Sequence, residues 1–220
     1  MKLFKKIIGV LIGTLIMGLG VAFFELSSLG FDGLSCVVVS LQELTSVTYS
    51  IGYLLVNLLF FILMIIFLRG QIGIGSVINY LLTGVFGDLF MFLFKVVGFS
   101  GSSIFILNLL FGLFGVICLA LGIALYANAN LGVTPYDALP LIITKYLKID
   151  KKPIKYHIAR KMVDGACILF GLIVGIVILK QYHIFGINTV VTLIFVGYLV
   201  SFFSKLVNKY IYKTTSDTFN

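Results

Sequence analysis

The chain carries one series of residues twice, and this duplication limits the folds open to it more than any other feature. Segments 20–34 and 122–136 share a Gly-x-Ala triplet and a Leu-Gly pair at a shift of 102 positions. Segments 73–77 and 186–190 share the pattern Gly-Ile-x-Ser/Thr-Val at a shift of 113. Repeats of this length in an apolar chain are typical of transporter folds, in which the working site lies where the two copies meet.

The composition predicts an all-α integral membrane protein. Apolar residues make up 60% of the chain and charged residues 11%, with a mean hydropathy of +1.17, which excludes a soluble globular domain. Six stretches approach or exceed the roughly 20 apolar residues that cross a bilayer. They are 7–24, 49–68, 72–94, 104–126, 162–179 and 184–204. We therefore expect six transmembrane helices in one membrane domain, with one copy over residues 1–100 and the other over residues 101–220.

The net charge of +8 reports orientation in the membrane. With the N-terminus inside and six spans, fourteen of the sixteen basic residues fall on the inner side, and only Lys95 and Lys180 fall outside. This bias follows the positive-inside rule and predicts that both termini are cytoplasmic. The expected partner of the basic residues is thus the lipid bilayer, with no role for nucleic acid.

Each copy also contains one helix-like segment that is too short to cross the membrane. These segments are 32–45 and 134–147. If both are re-entrant half-helices, each copy has three spans and the second copy is inverted relative to the first. If both cross, the protein has eight spans and the copies are parallel, and the charge rule does not decide because only Arg69 and Lys95 exchange sides. Length favours half-helices, and therefore inverted repeats.

Both short segments begin with residues that start helices. Thr134, Pro135 and Asp137 supply a hydroxyl cap, a proline at the first helical position and a carboxylate three residues after the cap, while Asp32 is the corresponding cap in the first copy. One interpretation is that these residues only complete backbone hydrogen bonding. The other is that two helix starts converge and bind an anionic or dipolar solute. Asp32 and Asp137 would repel a simple anion unless they are protonated or paired.

Further polar residues inside apolar stretches complete the predicted substrate site. Asp88 predicts a solute or proton-linked role, or a position near the headgroups, and Asn57 either binds solute or joins two helices. Asn128 and Asn130 are expected to line the mouth beside the second short helix. Asp164 is expected to be an ion-pair partner of the basic residues beside it. The full predicted site is Asp32, Asn57, Asp88, Asn128, Asn130, Thr134, Pro135 and Asp137.

Segment 121–139, with its sequence Leu-Gly-Val-Thr-Pro-Tyr-Asp, resembles the signature of the YitT/YczE-type bacterial membrane proteins, and segment 73–77 resembles their second motif. The first copy departs from that signature, because Asp32-Gly33 replaces the Ser/Thr-Pro pair. The resemblance implies a bacterial cytoplasmic-membrane protein that is often described as a transporter. It implies no particular substrate.

Three functions remain open from the sequence. The first is a transporter or channel for a small molecule or ion, with its site between the two helix starts. The second is a substrate-binding membrane subunit of a vitamin-type uptake system, with an energising partner that contacts Ala120-xxx-Ala124. The third is a scaffold without a solute site. Pairs of small residues such as Gly9-xxx-Gly13 also allow a homodimer. The chain shows no catalytic triad, phosphate loop, metal motif or cofactor motif, so we do not expect an enzyme.

Overall fold

The computed structural model describes residues 3–99, 101–149, 152–154, 156–178, 180 and 183–212, and these residues form a helical bundle with one short hairpin. The α-helices are α1 (Leu3–Ser27), α2 (Gly33–Thr45), α3 (Tyr49–Phe67), α4 (Ile74–Val96), α5 (Phe105–Asn128), α6 (Pro135–Tyr146), α7 (Tyr156–Leu172) and α8 (Ile187–Val207). A 3₁₀ turn occupies Arg69–Gln71, and π-helical turns follow α7 at Ile173–Ile178 and α8 at Asn208–Tyr212. The hairpin pairs β1 (Lys148–Ile149) antiparallel with β2 (Lys152–Pro153).

Five of the helices, α1, α3, α4, α5 and α8, are long and apolar enough to cross a membrane. Their outward faces are apolar, and Phe92 and Ile106 are 61% and 67% exposed. In water such a surface would be unfavourable, so the chain is an α-helical membrane protein. The predicted span 162–179 corresponds to α7 and its π-helical turn. Leu179 lies outside the described residues, as do four of the inner-side lysines, Lys2, Lys151, Lys155 and Lys213.

The centre of the bundle is the crossing of α1 with α5, which glycines bring into close contact. A methyl group added at Gly13 would lie 2.8 Å from the carbonyl oxygen of Gly122, and one added at Gly20 would lie 3.0 Å from that of Gly115. The contacts run in opposite order along the two helices, so α1 and α5 are antiparallel. On either side of this crossing, α4 packs against α1 and α8 packs against α5.

The helices α2 and α6 contain 13 and 12 residues, and are therefore only about 18–20 Å long. This is well below the thickness of roughly 30 Å of a bilayer core, as the sequence predicted. Helix α6 lies along the second half of α3: the ring of Tyr136 is 5.9 Å from that of Phe60, and the ring of Tyr146 is 5.5 Å from that of Phe67. Helix α2 lies along α7 in the same way: a methyl group added at Gly33 would lie 3.1 Å from the Cα atom of Asp164, and the hydroxyl of Ser40 donates to the carbonyl of Gly171 at 3.3 Å. Each short helix therefore begins near the middle of its neighbour and ends near that neighbour's end.

The loops before α2 and α6 dock on the starts of α8 and α4. The carbonyl of Leu29 accepts a hydrogen bond from the backbone N–H of Asn188 at 2.9 Å, and the carbonyl of Leu131 accepts one from that of Gly75 at 2.8 Å. Gly30 and Gly132 have φ angles of +96° and +109°, which favour glycine, so each loop turns sharply at its glycine. The motifs that recur in the sequence thus contact one another in reciprocal fashion.

Candidate functional site

The two short helices meet at their N-terminal ends. A methyl group added at Gly33, the first residue of α2, would lie 3.0 Å from the hydroxyl oxygen of Tyr136, the second residue of α6. Thr134 caps α6 as predicted, since its hydroxyl accepts a hydrogen bond of 3.0 Å from the backbone N–H of Asp137. Pro135 occupies the first helical position, also as predicted. The free N–H groups and partial positive charges of two helices therefore lie close together inside the protein.

A buried cluster of charges lies beside this meeting point. The guanidinium of Arg160 donates to Asp137 through Nη1 and to both carboxylate oxygens of Asp164 through Nε, at 3.2 Å each. It also lies 4.7 Å from the centre of the Tyr136 ring, where a cation is attracted to the aromatic face. Tyr126 donates its hydroxyl hydrogen to Asp137, and Tyr136 donates to Asp164. Both carboxylates therefore have a charged partner and a hydroxyl partner.

The three charged side chains of this cluster are largely buried, so their charges must be balanced within the protein. The side chain of Arg160 is 16% exposed, and those of Asp137 and Asp164 are 9% and 8% exposed. Ionised groups at such depth in a membrane protein are costly unless they pair with one another. The helical spacing of four residues between Arg160 and Asp164 sets the first pair, and α6 supplies Asp137 from the other side. The cluster therefore holds α6 and α7 together.

A small cavity lies between the helix starts. Its volume is about 30 Å³. Space of about 10–15 Å³ holds one water molecule, so the cavity takes one or two. Its polar lining comes from α3, α4, α7 and the starts of both short helices. These lining residues are Asp32, Ser35, Tyr49, Tyr53, Thr83, Thr134, Tyr136, Asp137 and Arg160.

Two larger cavities reach the same cluster. The vestibule, of about 740 Å³, lies between the 3₁₀ turn before α4 and the loop before α6, and Gln71 and Asn130 contribute to its lining. The seam cavity, of about 300 Å³, lies between α7 and α8, and Tyr198 and Ser201 contribute to its lining. Asp137 lines the small cavity, the vestibule and the seam cavity, so it lies where the three meet.

Comparison with known proteins shows which family the chain belongs to. A model of the family of unknown function DUF6198 matches residues 4–205. The chain belongs to this family. It is similar to the uncharacterised protein YyaS of Bacillus subtilis (strain 168), with 26% identity over 204 residues, which cover 90% of this chain and 92% of YyaS. It is also similar to the uncharacterised membrane protein YczE of the same organism, with 28% identity over 134 residues, which cover 60% of each chain. No solved structure gives a significant match. The predicted resemblance to YczE-type membrane proteins is confirmed.

In this member of the DUF6198 family, five of the eight predicted site residues lie at the cavities or the helix starts. Asp32, Thr134 and Asp137 line the small cavity, Asn130 lines the vestibule, and Pro135 begins α6. The pairing of Asp137 with Arg160 also supplies the partner that the sequence argument required of this carboxylate.

The other three predicted site residues line none of these cavities. Asn57 donates to the carbonyl of Tyr53 in its own helix, at 3.0 Å. Asp88 accepts from the backbone N–H of Ser50 at 2.9 Å, and so caps the start of α3. Asn128 joins α5 to α8, where it donates to Ser204 at 2.9 Å. Their solute-binding role stays a prediction that these contacts do not support.

Sequence reasoning missed much of the site. Asp164 was expected to be an ion-pair partner, and its pairing with Arg160 confirms this, but Arg160 itself was counted with the inner basic loop. Tyr126 and Tyr136 were not singled out, although each supports a carboxylate. The one available signal was the spacing of Arg160 and Asp164 at positions i and i+4, followed by an apolar stretch.

Proposed function

We propose that the chain is a membrane transporter for a small solute, and that its site lies between the starts of α2 and α6. One observation carries the proposal: a buried Asp137–Arg160–Asp164 cluster adjoins three cavities inside a bundle of membrane-spanning helices. Polar and ionisable groups that are buried in the membrane mark solute or proton pathways. Helix starts that meet at the interface of repeats are the usual setting of such sites in secondary transporters.

The topology that fits this proposal has six spans in two inverted copies, α1–α4 and α5–α8. The antiparallel crossing of α1 with α5 supports it, because parallel four-span copies would make these corresponding helices parallel. The α-helical and π-helical parts of α7 contain 17 and 6 residues, enough together for a sixth span. The positive-inside rule then places the vestibule on the cytoplasmic side, together with both termini.

The contact between α3 and α4 differs from the corresponding contact between α7 and α8, and this difference supports alternating access. Gly84 in α4 packs tightly against α3, since an added methyl group would lie 2.9 Å from the Cβ atom of Tyr53. Gly197, its counterpart in α8, has no neighbour within 4 Å among the described residues, and the seam cavity opens there. We infer that this state is closed towards the outside and open towards the inside. The outward-open state arises when the two copies exchange these arrangements.

The two other functions gain less support. Ala120 and Ala124 are fully buried in the chain's own packing, so they do not offer a surface to an energising partner. A scaffold without a solute site would have no need of polar cavities around a buried ion cluster. The substrate-binding subunit remains the second candidate, because the cavities at the helix starts would serve a binding subunit as well.

Transport by the purified protein tests the proposal. Small solutes are first screened for thermal stabilisation of the detergent-purified protein, and those that stabilise it are then tested for uptake into proteoliposomes. We expect Asp137→Asn to abolish stabilisation by the substrate, while Asp88→Asn, outside the site, retains it. Uptake by the wild-type protein alone supports a transporter. Stabilisation without uptake, together with recovery of an ATPase subunit from cells, would instead support the substrate-binding subunit.

A further inference from the structure

The start of α2 is not capped in the way that its sequence leads one to expect. Asp32 occupies the cap position with a suitable backbone conformation (φ −70°, ψ 168°), yet its side chain accepts no capping hydrogen bond. Aspartate is among the residues that most often make this bond. Its counterpart Thr134 does cap α6, at 3.0 Å. The two corresponding helix starts therefore differ, since the Thr134 hydroxyl makes the capping bond and the Asp32 carboxylate does not.

One oxygen of this carboxylate has no partner. Oδ1 of Asp32 is buried and forms no hydrogen bond with any of the described residues. The same side chain lines the small cavity of about 30 Å³ between the two helix starts. A buried polar atom without a partner is rare in proteins, and it is expensive when the group carries a charge. Thr14 Oγ1 and Asn57 Oδ1 are also buried without a partner among the described residues, but only Asp32 Oδ1 belongs to a carboxylate and lines one of the cavities. The combination points to a ligand at Asp32.

The other groups around the cavity show what kind of ligand fits. Hydroxyl oxygens dominate its polar lining and are contributed by Ser35, Tyr49, Tyr53, Thr83 and Thr134. Hard cations bind oxygen ligands of this kind, and a protonated carboxyl group could donate to any of them. An anion would meet the carboxylate of Asp32 directly.

The charges near the cavity also favour a cation over an anion. Arg160 also lines the cavity, but its ion pairs are with Asp137 and Asp164, and it forms none with Asp32. The two helix starts together offset only about one unit of charge. Titratable and charged groups face Asp32 from α3, α6 and α7. They are Tyr49, Tyr53, Tyr136, Asp137, Arg160, Asp164 and Cys167.

We propose that Asp32 binds one monovalent cation, either a proton or an ion the size of sodium, where α2 and α6 meet. The cavity has room for one such ion with a water molecule. This inference extends the proposed function, because binding at the junction of the two copies would couple the ion to solute transport. The binding itself does not depend on transport.

The sodium form is tested with the purified full-length protein in detergent. Its thermal unfolding is followed while sodium chloride replaces choline chloride at constant ionic strength. We expect a saturable rise in Tm for the wild type and for the control Asp88→Asn, and no rise for Asp32→Asn. Ser35→Ala, which removes one lining hydroxyl but keeps the carboxylate, is expected to shift the rise to higher sodium concentration, and it remains informative if Asp32→Asn does not fold.

The proton form gives a different result in the same assay. Asparagine is a neutral substitute for a protonated aspartate, so sodium has no effect and the wild type loses stability relative to Asp32→Asn as the pH rises. A difference between the two proteins that changes with neither sodium nor pH would overturn the proposal. Because no solute is present, that outcome leaves the transport proposal standing, and a failure of solute uptake leaves the cation site standing.

Discussion

The contacts of the buried Asp137–Arg160–Asp164 cluster allow its contribution to the free energy of unfolding to be predicted. Arg160→Met removes the bonds to Asp137 and Asp164 but keeps an apolar side chain that covers similar surface. It leaves two buried carboxylates without their cation, and breaking a buried ion pair in this way costs roughly 3–5 kcal/mol. The hydroxyls of Tyr126 and Tyr136 still donate to the carboxylates, so we expect about 3 kcal/mol, at the lower end of that range.

The triple variant Arg160→Met, Asp137→Asn, Asp164→Asn separates loss of charge balance from loss of packing. With all three charges removed, most of the lost stability should return, since neutral replacements of whole buried ion clusters are often harmless. Arg69→Met, at the other arginine of the chain, is the control, because that side chain is exposed and its loss should change stability by about 0.5 kcal/mol or less. Unfolding in mixed micelles with increasing SDS measures all three variants. If Arg160→Met is as mild as Arg69→Met, or the triple variant is as unstable as Arg160→Met, the cluster does not work as described.

Three further predictions test the packing and the topology. Gly122→Ala adds a methyl group 2.6 Å from the carbonyl oxygen of Gly13 and should lower the free energy of unfolding by roughly 1–3 kcal/mol. The control Gly197→Ala lies in open space and should raise the free energy of unfolding by up to about 1 kcal/mol. Equal effects of the two substitutions in SDS unfolding would contradict the close crossing of α1 and α5. In a background without native cysteines, an impermeant thiol reagent applied to intact cells should label Val97→Cys but not Gly70→Cys, and the reverse pattern would mean parallel four-span copies. Asp88→Ala removes the side chain that accepts from the Ser50 N–H at the start of α3, beside the capping hydroxyl of Thr48, and should cost about 1 kcal/mol in the same unfolding assay. Asp88→Asn should cost less because an amide oxygen also accepts this bond; identical losses would contradict this role of Asp88.

Local features of the fold were predictable because they depend on a few neighbouring residues. The cap at Thr134 and the turns at Gly30 and Gly132 follow from side-chain chemistry and from the conformational freedom of glycine. The shortness of α2 and α6 follows from counting apolar residues. The sequence also predicted that Asp32 would cap α2, and here the prediction was wrong for the side chain, which makes no capping bond.

The buried ion cluster was not predictable in the same way, because its members come from different helices. In the sequence, Arg160 follows a lysine-rich segment, which suggests a solvated loop. In the structure, α7 begins at Tyr156, and the guanidinium of Arg160 lies inside the bundle, where it pairs with Asp137. Asp88 shows the opposite case: a carboxylate inside an apolar stretch suggests function, but a helix start from elsewhere in the chain uses it as a cap. Only the packing of helices reveals either partner.

The reciprocal docking of the loops has a consequence for how such a protein could arise. The loop at Gly30 packs against Gly186, and the loop at Gly132 packs against Gly73, so each proposed copy completes the other. Two separate three-span chains, inserted in opposite directions, would make the same pair of contacts across a twofold axis in the membrane plane. A gene that encoded a single copy with no fixed orientation could therefore have formed the whole assembly as a homodimer. Fusion of two such genes would then free each half to change alone, and the halves do differ in this way: Asp88 of the first corresponds to Ser201 of the second at the shift of 113 positions.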